Sequence, residues 1–150
     1  MEKLDVLLDE LESKIQDQEL IKKEVSASSI GWHLEHTFLV INQIINILKQ
    51  SNPNQYSFTF KPIKYIVFFT GKIPRGKAKN PKNVEPNLFT TETLMQHLVT
   101  TKRSIKELNI IAKNQFFKHP FFGDLKLNEA IKFIQIHTKH HLKIINDIKK

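Results

Sequence analysis

The sequence predicts an all-α fold, a four-helix bundle with one long crossover between its second and third helices. Three observations lead there. Proline and glycine are sparse, six and four in 150 residues, which favours long regular elements over a turn-rich β fold. Apolar residues recur at helical spacing in four separate stretches. Nearly forty residues lie between the second stretch and the third. Neighbouring helices in a hairpin need only about two to eight, so this connection is expected to run along the bundle. A chain of 150 residues is long enough to bury a core, and one domain over residues 1–150 is expected.

The first helix is expected from about residue 2 to 22, on Leu4, Leu7, Leu8, Leu11 and Ile15. Ser28 or Ser29 can cap the second. Its stripe runs Ile30, Leu34, Phe38, Ile41, Ile45 and Leu48 and stops near Asn52-Pro53. Thr90 or Thr91, followed by Glu92, starts the third, which carries Leu94, Leu98, Ile105 and Leu108. The fourth follows the breaker-rich "KHPFFGD", starts near Leu127 and runs to residue 150. Within the crossover, Pro62 can start a short helix with Ile63, Ile66, Val67 and Phe69. A β-ribbon of "YSFTF" with "YIVFF" is the competing arrangement.

Composition narrows the chemistry. There is no cysteine, so disulfides, thiolate metal sites and a cysteine nucleophile are excluded. His, Asp and Glu remain as metal ligands. The amphipathic "MEKLDVLLDELESKI" lacks the layout of a signal peptide, and no apolar run approaches the ~18 residues of a membrane span. A cytoplasmic protein without a membrane partner is expected. The net charge is +8, but the lysines are spread over every segment, so a dedicated nucleic-acid face is not expected.

The fourth helix holds the loudest chemical signal, three histidines in "FIQIHTKHHLKII". Heptad spacing gives a seam of Ala130, Ile134, His137, His141, Ile144 and Ile148. His137 and His141 stand where Ile or Leu belongs, and His140 projects to the flank beside Phe133. Imidazoles four apart share a helix face, and buried polar groups need partners, so one divalent ion can serve both. The second helix is apolar on nearly all sides and therefore central. Apart from its polar strip of Glu35, Asn42, Asn46 and Lys49 runs a row of Trp32, His36, Leu39 or Val40, Gln43 and Ile47. His36 is the inward candidate there and His33 the weaker one. Three ligands, His36, His137 and His141, would leave positions open for water and substrate; adding His33 would close a structural site. His97 is expected on the solvent side of the third helix, and His119 as a loop residue capping or stacking near the fourth. Glu35, one position from His36, points elsewhere and is not assigned as a base.

These motifs together, "GWHLEH", then "HPFFGDL", then "HTKHHLKII", with "GKIPRG" in the crossover, resemble the DinB-like (YfiT-type) superfamily of metal-dependent enzymes. The resemblance spans about residues 25 to 148 and is most specific from His119 to His141. It implies a four-helix bundle holding a divalent ion, zinc or nickel, on His36, His137 and His141. It also implies a transferase or hydrolase acting on a small-molecule substrate, some members using an external low-molecular-weight thiol. The alternative is a non-catalytic binding module whose metal is structural or vestigial and whose basic surface meets an acidic partner. Whether the chain forms a homodimer is left open.

"GKIPRGKA", residues 71–78, matches the spacing G-x-x-x-x-G-K, but Ala78 stands where a P-loop needs Ser or Thr, and Pro81 and Pro86 prevent the following helix. Nucleotide hydrolysis is not expected. Lys72, Arg75, Lys77, Lys79 and Lys82 make a basic loop.

Overall fold

The computed structural model describes residues 2–75 and 84–150. It is mostly helical, with α1 (Glu2–Glu12), α2 (Ile30–Gln50), α3 (Pro62–Thr70), α4 (Thr91–Glu107) and α5 (Leu127–Ile148), plus a hairpin of β1 (Phe116–His119) and β2 (Gly123–Lys126). α2 packs against α4 and α5, and α1 against α4 and α5. Between them lie Leu4, Leu8 and Leu11 from α1, Leu34, Phe38 and Ile41 from α2, Leu94, Leu98 and Ile105 from α4, and Ile134 and Ile145 from α5, all essentially without exposure. Each such side chain contributes roughly 1.5–3 kcal/mol of burial, so this interior holds the helices in register. No described helix is long and apolar enough to cross a membrane.

Helix boundaries follow their caps. The Ser29 side chain accepts from Trp32 N–H at the start of α2. Thr90 and Thr93 form a reciprocal capping box at the start of α4. α3 begins on Pro62 and ends at Gly71, whose φ of 64° is the left-handed cap. The helical alternative for the crossover is therefore the one adopted, and "YSFTF" does not pair with "YIVFF".

Two expectations need correction. The first helix stops at Glu12, not near residue 22. Ile15 is still buried, but in a 3-10 turn over Ile15–Asp17. From there the chain turns to meet α2: the Gln18 and Leu20 carbonyls accept from Gly31 and Ile30 N–H, each at 2.9 Å. They satisfy donors that a helix N-terminus leaves free, and a longer α1 could not reach them. Gly31 is tight here, since a Cβ would lie 2.3 Å from the Phe89 ring.

The second correction concerns "KHPFFGD", which is the turn of a hairpin rather than a loop. Phe116 pairs with Lys126, Phe117 with Leu125, and His119 with Gly123. Phe117 and Leu125 are buried, so the inward side of each four-residue strand adds to the core. Leu127 N–H then bonds the Gln115 carbonyl, and α5 starts directly from β2.

Candidate metal centre

α2 and α5 bring the predicted histidines together. His36 (2% exposed), His137 (9%) and His141 (7%) are all buried, and the three ligating nitrogens they offer lie within 4.8 Å of one another. Ring centroids are 5.2 Å apart for His36–His137, 4.9 Å for His36–His141 and 4.5 Å for His137–His141. Ala130, Ile134, Ile144 and Ile148 of the predicted seam are buried as well. The seam reading of α5 therefore describes its packed face.

A hydrogen bond fixes which nitrogen His36 presents, and one tautomer of the His33 pair does so for His141. His36 Nδ1 donates to the Val84 carbonyl at 2.8 Å, so its Nε2 is bare. On the other side, His141 Nδ1 lies 3.0 Å from His33 Nδ1, and His33 Nε2 lies 2.9 Å from Ser26 Oγ. With His33 donating its Nε2 proton to Ser26 and accepting at Nδ1 from His141, the His141 Nε2 is bare too. This is the usual way a protein orients a ligating histidine, through a partner on its other nitrogen. His137 Nδ1 is buried with no hydrogen-bond partner. An ion among the rings would give such a stranded imidazole the interaction that no protein donor supplies.

Electrostatics favour the neutral form needed for ligation. Burial lowers the pKa of His36, and lowers those of His137 and His141 well below the ordinary histidine range. Neighbouring imidazoles push His137 and His141 the same way. Trp32 stacks on His36 at 5.0 Å with the rings 11° apart, covering one face.

The remaining histidines divide clearly. His33 is buried, but both its nitrogens are engaged, by His141 and Ser26, which leaves neither free for an ion. His140 is half-buried with its ring edge-on to His141. Phe133, on the same flank two turns earlier, meets His137 and His119. His119 stacks on Phe122 at 4.1 Å, and its Nδ1 accepts from Phe121 and Phe122 N–H, capping the hairpin turn. Its proton is thus on Nε2, and burial lowers its pKa to about 4. His97 is half-exposed, and its Nδ1 lies 2.8 Å from the Glu35 carboxylate.

Glu35 is 5% exposed. With Asn42, which donates to Thr101 at 2.8 Å, it turns the polar strip of α2 toward α4. The strip serves the α2–α4 contact. Sequence spacing missed the Ser26–His33–His141 chain, and the only signal for it was the proximity of His33 to the inward row.

The basic loop falls partly outside the described residues, which omit Lys77, Lys79 and Lys82. Of its described members, Arg75 pairs with Asp147 at 2.7 Å. Two grooves among the described residues, of about 410 and 380 Å³, run along the α1–α5 and α3–α5 contacts, and neither is lined by His36, His137 or His141. No family model, curated protein or solved structure matches the chain.

Proposed function

We propose that His36, His137 and His141 hold one divalent ion, zinc or nickel, in a DinB-like metal-dependent enzyme whose four-helix bundle is α1, α2, α4 and α5. The observation that carries this reading is the convergence of three buried imidazoles from two helices, with a fourth, His33, held back by its own hydrogen bonds. Three neutral ligands leave the ion's charge uncompensated and its sphere open, so when bound it would supply a Lewis acid that lowers the pKa of water or a thiol. The Val84 carbonyl aims His36, and His33 aims His141. Trp32 keeps water off one face of His36, which strengthens the local electrostatics. Glu35 faces α4 and is given no part in proton transfer.

The reaction class proposed is transfer or hydrolysis on a small molecule, with an external low-molecular-weight thiol as the second substrate of a transferase. A cytoplasmic site of action fits such a thiol. The experiment is a screen of purified protein against thiol-transfer and ester or amide substrates, with and without chelator. Activity lost on chelation, regained with zinc or nickel, and absent from His36→Ala supports the reading. Activity indifferent to chelator rejects it.

One observation favours a second reading, a binding module with a structural ion: two described grooves, along α1–α5 and α3–α5, lie away from the histidines. In that case chelation would unfold the protein. The enzyme reading expects the chelated chain to remain helical, since a core of this size does not need a metal to fold.

A further inference from the structure

α3 is built inside out. At 100° per residue, Tyr65, Phe69, Ile66, Thr70 and Ile63 share one arc, and Val67, Lys64 and Phe68 share the opposite one. The side facing the protein carries the lysine: Lys64 is 4% exposed and bonds Glu129 at 2.9 Å. The solvent side carries the apolar residues, with Ile63 40%, Tyr65 45%, Ile66 58% and Phe69 93% exposed. The segment before the helix extends the patch, since Phe58 and Phe60 are 63% and 65% exposed and the Phe60 and Tyr65 ring centroids lie 5.2 Å apart. A contiguous apolar surface of this kind marks a contact site.

Its charge surroundings select the occupant. Lys61 and Lys72 flank the helix at its two ends, and Lys132 and Lys139 share with Phe69 the groove between α3 and α5. None of these four lysines is in an ion pair among the described residues, whereas the nearby acid Glu129 is taken by Lys64. An isologous contact would lay this lysine-rimmed face on an identical one, with no acid among the described residues of either rim to pair with it, on a chain already at +8. An apolar face with a lysine rim instead complements an anionic bilayer, where rings enter the headgroup boundary and lysines meet phosphate.

We propose that the α3 face docks on the surface of an anionic lipid membrane, with Ile63, Tyr65, Ile66 and Phe69 inserted at the interface and Lys61, Lys72, Lys132 and Lys139 on the headgroups. This departs from the expectation that no membrane takes part. That expectation concerned a spanning segment, and a helix lying in the interface is a different geometry. It does not depend on the metal centre.

The test is flotation of the full chain with vesicles of phosphatidylcholine alone and of phosphatidylcholine with one third phosphatidylglycerol. The chain should float with the anionic vesicles only, less so as salt rises. Ile66→Glu/Phe69→Glu should weaken this about tenfold or more, and Lys61→Glu/Lys72→Glu several-fold. All four side chains are solvent-exposed, so the variants should fold, as circular dichroism would verify. No flotation with anionic vesicles overturns the proposal. Flotation undiminished by Ile66→Glu/Phe69→Glu also overturns it, because a +8 chain would then be adsorbing by charge alone. A dimer in sedimentation that the same variant dissociates would assign the face to a second copy instead.

Discussion

His33 Nδ1 and His141 Nδ1 lie 3.0 Å apart across 108 positions of the chain, a contact that engages one nitrogen of each ring. If His33 orients His141 without touching the ion, His33→Ala should leave one metal site per chain but weaken it about 10–100-fold. Ser26→Ala, one step further out, should cost less. Competition titration with a chromogenic chelator measures both. A His33→Ala chain that binds no metal at all would make His33 a ligand and the site closed.

The geometry also predicts which histidines are indispensable. His137→Ala and His141→Ala should each abolish stoichiometric binding, while His97→Ala, His119→Asn and His140→Ala keep it. The comparison between positions 140 and 141 is the sharpest, because they differ only in the face of α5 they occupy. Calorimetric titration with zinc gives the stoichiometries, and a reversed pattern would overturn the helix register.

Acid should weaken the metal-free fold. His33 and His119 have folded pKa values lowered to about 4, chiefly by burial, while the unfolded chain protonates them near 6.5. Between those values the unfolded state binds more protons, so stability present above pH 6.5 falls as pH drops toward 4 and the loss from these two groups then levels off. His36, His137 and His141 are lowered as well and act in the same direction. Denaturant titration across this window should show the decline. His119→Asn keeps an acceptor for the turn but removes one titrating group, so its decline should be shallower; an equal slope would contradict the assignment.

Gly31→Ala should destabilise by about 1–3 kcal/mol through overpacking, because the new methyl would meet Phe89. The Phe89 ring is only half-buried, which places the effect toward the low end. Adding Phe89→Leu should recover part of the loss in a urea titration.

Most of the helical layout was legible because its signals are local. The stripe of α2, the Thr90 cap of α4 and the seam of α5 each read off spacing alone. The same seam placed His137 and His141 inward, and the near-apolar circumference of α2 did so for His36. What failed depended on distant partners. Leu4 to Ile15 reads as one continuous helix, and the chain breaks it after Glu12 because Gln18 and Leu20 are wanted at the start of α2. The hairpin was hidden because strands of four residues offer little periodicity, and Pro120 and Gly123 look the same in a loop. Spacing did not show where the polar strip of α2 points, because Glu35's partner His97 is on another helix. His33 looked secondary because a supporting role is set by where two other side chains fall, not by spacing on α2.

The central claim is tested most directly by the metal content of the purified protein, measured by elemental analysis at neutral pH after incubation with zinc or nickel and removal of excess. One equivalent per chain is predicted for the wild type, and none for a His137→Ala/His141→Ala variant that retains its helical circular dichroism. A wild-type chain that retains no ion, or a double variant that retains the full equivalent, would contradict the assignment of His36, His137 and His141.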